Sequence, residues 1–157
     1  MNTKISLRAA TQSDIPTLRT FEQGVIAAER PFAPQLKPAH VIYYDFEHLI
    51  ESEDLLVVVV ERDGELCGSG YACITESRPC LKHSRFSYLG FMYVEPMHRR
   101  SGIVQMIIDH LAAWSKSKGA YELQLDVYDQ NEPAILAYEK YGFRKSTVMM
   151  RMEIDGK

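Results

Sequence analysis

The chain has 157 residues, 46% of them apolar, with a net charge of −3, which suits one compact domain with a sizeable core and leaves no global basic surface for nucleic acid. The longest apolar run, Leu55 to Val60, is far too short to span a bilayer, and the N-terminus has no apolar signal core, so a soluble cytoplasmic protein without a membrane partner is expected. Cys67, Cys73 and Cys80 are odd in number with no metal-ligand spacing, and no HExxH, GxSxG or Walker lysine occurs, so metal hydrolase, serine hydrolase and NTPase start without support and no metal is expected.

Lys4 to Ala9 alternates Ile5 and Leu7 with polar partners, as a strand buried on one face does. Thr11-Gln12-Ser13-Asp14 has the Thr-x-x-acid form of a capping box, Pro16 falls in the tolerated first turn, and a helix is expected to about Glu29. Arg30 to Pro34 breaks it. A second helix is expected over Ala39 to Ile50, with Val41, Ile42, Phe46, Leu49 and Ile50 on one side, as a cover rather than a core element. Leu55 to Glu61 and Leu66 to Thr75 are β-rich runs flanking Asp63-Gly64, a strong hairpin signal.

The strand Arg85 to Val94 stops at Glu95-Pro96, after which Ile103, Val104, Ile107, Ile108 and Leu111 recur at helical spacing up to a glycine cap at Gly119. Tyr121 to Val127 reads as the next strand. Asn131 caps a further helix with Pro133 in its first turn, the helix closes at Tyr141-Gly142, and Phe143 to Ile154 supplies the last strand. No linker or repeat divides residues 1–157, so one domain is expected. Hairpins in the first half and crossovers in the second predict an α/β fold, a mixed sheet with helices on both faces.

Two places carry chemistry. Where Val94 hands over to the helix at Ile103, the first helical N–H groups lack intrahelical partners and carry partial positive charge. Arg99 and Arg100 stand at that mouth, and Gly102 has no Cβ to hold a phosphate off the backbone, so the turn reads as a pyrophosphate cradle. Further on, spacings of three and four residues set Asn131, Ala134 and Tyr138 along one helix face, with roughly 10 Å of axial rise between Asn131 and Tyr138. A thin ligand arm fits along that face, with Asn131 binding an amide and Tyr138 near the far end.

Val94-Glu95-Pro96-Met97-His98-Arg99-Arg100-Ser101-Gly102-Ile103 resembles the acetyl-CoA loop of the GCN5-related N-acetyltransferases (GNAT). It keeps Arg99 and Gly102 of the family's Gln/Arg-x-x-Gly-x-Gly/Ala pattern, with Val104 at the last position and Arg100 where many relatives have glycine. Asn131 to Phe143, NEPAILAYEKYGF, is similar to the family's N-x-x-A-x-x-x-Y-x-x-x-G-F signature and matches it at every fixed position. The element order also matches, so the resemblance covers nearly the whole chain and implies a GNAT-like, mixed, mostly antiparallel central sheet.

The resemblance implies an acetyl-CoA-dependent N-acetyltransferase acting by direct transfer to a primary amine. The N–H groups near Met92, Tyr93 and Val94 would hold the pantetheine arm and polarise the thioester carbonyl. The pyrophosphate would sit on Arg99, Arg100, Ser101, Gly102, Ile103 and Val104, with Asn131 and Ala134 along the arm and Tyr138 protonating the departing thiolate. A phenol suits that last role because it stays protonated near neutrality.

The general base is open: the Phe86 to Val94 strand holds no acid, Glu95 lies just beyond it, Tyr88 and Tyr93 are placed to order a water, and Glu29 is the best single carboxylate. Glu29, Asp45 and Glu47 would line the acceptor side with negative charge suited to a cationic small molecule or polyamine, with a peptide amine the other acceptor class. Missing acid in the central strand and the residues at Arg100 and Val104 favour the alternative of an acyl-CoA-binding regulatory module with little catalysis. A nucleotide-phosphate binder is a third reading. An exposed edge strand in the C-terminal half would suit a homodimer.

Overall fold

The computed structural model describes residues 3–155. β1 (Ile5–Ala9), β2 (Leu55–Arg62), β3 (Glu65–Glu76) and β4 (Arg85–Val94) pair antiparallel in that order, and β5 (Leu123–Gln124) adds parallel to β4. The β2–β3 hairpin turns at Asp63 (φ 53°) and Gly64 (φ 88°), and positive φ at both central residues is what a tight type I′ connection between right-twisted strands requires.

Helices cover both faces. α1 (Ile15–Glu29) and α2 (Phe46–Glu51) bury Leu18, Phe21 and Phe46 against Val57, Val59 and Phe91 on one side. α3 (Ile103–Ser117) lays Ile107 and Leu111 over Gly70 on the other, which the period-2 alternation of strand side chains allows. At the start of α1, Asp14 accepts from the Thr11 N–H at 2.8 Å and takes both terminal nitrogens of Arg8 at 2.7 and 2.9 Å, tying β1 to the helix entry.

Met1–Asp126 and Val127–Lys157 are two compact units. The second is built on α4 (Glu132–Tyr141), capped by Asn131, whose side chain accepts from the Ala134 N–H at 3.4 Å. It ends at Gly142 (φ 131°), after which the Phe143 N–H returns to the Tyr138 carbonyl at 3.0 Å. Among the described residues no helix is long and apolar enough to cross a membrane.

Four sequence expectations are corrected. The second helix begins at Phe46, not Ala39, because Asp45 caps it and the N–H groups of Tyr43 and Tyr44 are taken by a distant carboxylate. Phe46 is fully buried, so this short helix plugs the core instead of covering it. The strand expected over Tyr121 to Val127 shrinks to Leu123–Gln124, where Ser87 and Tyr88 are its ladder partners, and the last strand expected over Phe143 to Ile154 is not formed among the described residues. Apolar alternation alone does not make a strand; the backbone groups need a partner.

Candidate active site

Along most of its length β4 alternates cleanly, but Ser69 faces Tyr93 while Tyr71 faces Gly90, so Phe91 and Met92 together oppose the single residue Gly70. This is a β-bulge, with Phe91 held at φ 53°. A non-glycine residue keeps that conformation only where its surroundings over-determine it. Here the buried Ser69 hydroxyl donates to the Phe91 carbonyl at 3.1 Å, and the Phe91 ring is clamped by Tyr44 and Phe46 at 5.1 and 5.0 Å. The bulge re-aims the backbone from Phe91 onward, and β5 pairs only with Ser87 and Tyr88. Among the described residues, the stretch of β4 holding Met92, Tyr93 and Val94 therefore has no ladder partner on the β5 side.

The strand runs through a 3-10 turn (Pro96–His98) into α3. Arg99 braces the turn by donating Nε–H to the Val94 carbonyl at 3.1 Å, and the Ser101 hydroxyl donates to the His98 carbonyl. Arg100 (φ 60°) and Gly102 (φ 81°) are both left-handed, and Gly102 caps α3 with no side chain bonded to the helix start. The first α3 bond is Met106 N–H to Gly102 carbonyl at 3.0 Å, which leaves the amides of Ile103, Val104 and Gln105 without intrahelical acceptors. A side chain at Gly102 would enter open space, so a ligand can approach the backbone there closely. Arg99, Arg100, Ser101 and Gly102 are exposed, Val104 is half-buried and Ile103 faces the core. The residues fit an anionic diphosphate at a helix start.

Glu29 ends α1 half-buried and accepts from the Tyr43 hydroxyl at 3.0 Å. Burial raises its carboxyl above the ordinary value, and the Tyr43 hydrogen bond opposes that shift. Tyr44 packs at 5.8 Å from Tyr71, whose ring lies over Gly90 so closely that a methyl there would fall 2.5 Å from it. Burial, then Tyr71 and the Glu29 charge, push the Tyr44 phenol upward, against a backbone hydrogen bond from Phe91. Tyr88 donates to Asp126 at 3.0 Å, and burial and the Asp126 charge also raise its phenol. Phenols thus ring the bulge on the α1 face, with Glu29 among them.

The remaining expected acids are engaged elsewhere. Asp45 caps α2 by accepting from the His48 N–H at 3.2 Å, and Glu47 pairs with Arg19 at 3.4 Å. Glu95 accepts from the Tyr93 hydroxyl at 3.5 Å. His83 bridges Ser77 and Glu122 at 2.6 and 3.2 Å. In the second unit Asn131, Ala134 and half-buried Tyr138 share one face of α4, with the Tyr138 ring 5.8 Å from Phe143. Among the described residues no three His, Cys, Asp or Glu side chains converge as metal ligands.

Sequence reasoning missed a row of side chains, on α1 and at Arg30 just beyond it, that hold residues 37–45 by their backbone. Arg19 donates to the Tyr44 carbonyl at 2.6 Å, Gln23 to the Val41 carbonyl at 3.0 Å, and Arg30 to the Lys37 and Ala39 carbonyls at 2.8 Å each. Glu22, fully buried, accepts from the Tyr43 and Tyr44 N–H groups at 2.8 Å each. One signal was present: Glu22 lies four residues from both Leu18 and Ile26, on the apolar stripe of its helix.

A family model described as the acetyltransferase (GNAT) family matches residues 23–143. The chain is similar to a streptothricin acetyltransferase from Streptomyces lavendulae, 34% identical over 102 residues, covering 63% of this chain and 51% of that protein. It is also similar to an N-alpha-acetyltransferase from Sulfolobus acidocaldarius, 24% identical over 155 residues and covering 96% and 86% of the two chains. The chain thus spans about half the length of the first of these relatives. Its fold is like that of a predicted acetyltransferase from Clostridium acetobutylicum solved with acetyl-CoA, with a TM-score of 0.74 at 20% identity over 96% of this chain and 97% of that one. The extent of the family match shows that this chain belongs to the GNAT family of acetyltransferases.

Proposed function

We propose that the protein is an acetyl-CoA-dependent N-acetyltransferase, that it transfers the acetyl group directly to a primary amine, and that residues 1–157 act as one catalytic domain. The observation that carries this reading is the β4 bulge. It leaves a strand edge able to hold an extended amide-bearing arm, and the same strand leads straight into a helix start suited to a diphosphate. Membership of the GNAT family supports acetyl-CoA as the donor.

In this reading the amine nitrogen, once neutral, forms a bond to the thioester carbonyl carbon, and backbone N–H groups at Met92 to Val94 stabilise the charge that develops on oxygen. Collapse breaks the carbon–sulfur bond, and Tyr138 gives its proton to the departing thiolate. Glu29, directly or through water, takes the proton lost by the amine. Arg99 and Arg100 flank the diphosphate on the Ile103, Val104 and Gln105 amides, while Asn131 and Ala134 accommodate the arm. The acceptor is a small-molecule or peptide amine, as the named relatives illustrate on both sides, and Glu29 is the carboxylate left to receive its positive charge.

Thiol release from acetyl-CoA is the test, across polyamines, amino acids, aminoglycosides and peptides with free N-termini or lysines. Acceptor-dependent release is expected, and Tyr138→Phe is expected to slow turnover about a hundredfold while leaving acetyl-CoA affinity within about twofold. Unchanged turnover in Tyr138→Phe at every pH removes Tyr138 as the acid. Thermal stabilisation by acetyl-CoA with no release to any amine moves the reading to a binding module.

A further inference from the structure

Residues 39–45 carry two of the side chains that surround the bulge, yet they form no helix and no strand. Tyr43 reaches Glu29 with its hydroxyl, and Tyr44 sets its ring on Phe91 and Tyr71. With no ladder or helix of its own, this segment is placed only by contacts from other elements. Free to drift, that backbone would carry both side chains off their contacts.

Glu22 removes that freedom. Its carboxylate is fully buried, and such a charge is tolerated only when its oxygens are well partnered. Oε1 accepts from Tyr43 and Tyr44 together, and Oε2 faces an Arg19 nitrogen at 3.4 Å. The same Arg19 nitrogen donates to the Tyr44 carbonyl at 2.6 Å, so the dipeptide is gripped by its N–H groups and its carbonyl at once. Pulling the segment away would leave the Glu22 charge in the core without its amide partners. Gln23 and Arg30 hold only carbonyl oxygens further back, at Val41, Lys37 and Ala39, and do not reach the tyrosine pair.

We infer that Glu22 is a positioning residue for the acceptor amine: its buried carboxylate anchors the backbone of Tyr43 and Tyr44 so that their side chains stand at Glu29 and the β4 bulge, and it thereby shapes the acceptor side without touching either substrate. The inference rests on the N-acetyltransfer reading. It separates the two substrates, since the diphosphate cradle at Arg99 to Val104 lies on another segment with its own bracing.

The test uses Glu22→Gln, Glu22→Ala and Arg19→Met in the full chain, following acceptor KM, acetyl-CoA affinity and hydrogen exchange of the Tyr43 and Tyr44 amides. Glutamine keeps an oxygen for the two amides and loses the attraction to Arg19; alanine keeps neither. The expected result is faster exchange at both amides and a graded rise in acceptor KM, on the order of threefold for Glu22→Gln and tenfold or more for Glu22→Ala, with acetyl-CoA affinity within about twofold of wild type. Arg19→Met, at a side chain one-third exposed, loosens the same grip without emptying the core, so the trend can be read even if Glu22→Ala fails to fold. Transfer with unchanged acceptor KM in Glu22→Gln and Arg19→Met overturns the inference alone, as does an equal loss of affinity for both substrates. No transfer to any amine by the wild-type chain with acetyl-CoA bound overturns the N-acetyltransfer reading, and the inference with it.

Discussion

At Glu29 the environment and the chemistry meet in a single titration. Burial holds its carboxyl above the ordinary value, so the proton-accepting form is lost at a higher pH than for an exposed glutamate. If the carboxylate takes the amine's proton, turnover at saturating acceptor falls as pH drops through that raised value, and Glu29→Gln flattens this acid limb. Tyr43→Phe removes a hydrogen bond that favours the charged form, so the limb moves to higher pH. Stopped-time assays of thiol release between pH 5 and 8 read both shifts, and an acid limb unchanged in Glu29→Gln would assign the proton to water or another group. Glu29 was legible as the acid closing a helix before Pro31. Its hydrogen-bond partner was not, because Tyr43 comes from a segment that local pattern assigned to a helix. Phe91 was equally silent: nothing in its side chain announces a φ of 53°, which the Ser69 hydroxyl and packed rings impose from neighbouring elements.

Among the elements, α3 and its approach were read most fully from sequence, since Glu95-Pro96, Gly102 and the apolar spacing are all local signals. The same locality makes a prediction. Gly102 sits at φ 81° with nothing near enough to clash with an added methyl, so Gly102→Ala should fold and cost about 1 kcal/mol through backbone conformation alone. Gly102→Val places branched carbons where the proposed cradle would receive the diphosphate, and acetyl-CoA binding measured by calorimetry should weaken about tenfold or more, beyond the alanine effect. Equal affinity in both variants would place the diphosphate elsewhere. The 39–45 segment shows the opposite case. Its apolar residues suited a helix, but two of its backbone N–H groups found a carboxylate on α1, and a helix would have pulled them away.

For the molecule as a whole, the Arg8–Asp14 pair ties β1 to the start of α1, and Arg8 also reaches Glu61 on β2 at 2.8 Å. The Arg8 hydrogen bond holds the Asp14 carboxyl below its ordinary value of 3.8 despite burial. A carboxyl with a lower pKa folded than unfolded stabilises the fold above the unfolded value, and that contribution disappears as pH falls through the folded one. Asp14→Asn should therefore cost about 1–2 kcal/mol in urea unfolding at pH 7, with the gap to wild type closing below about pH 4. A gap that is constant with pH would mean that the helix cap, not the ion pair, dominates. The sequence by itself determined the family, the hairpin at Asp63-Gly64 and the four helices in outline, because periodicity, caps and turn residues act over a few positions. Only the tertiary structure decided the β4 bulge, the course of residues 39–45 and the extent of β5, because each depends on whether a backbone group finds its partner many residues away.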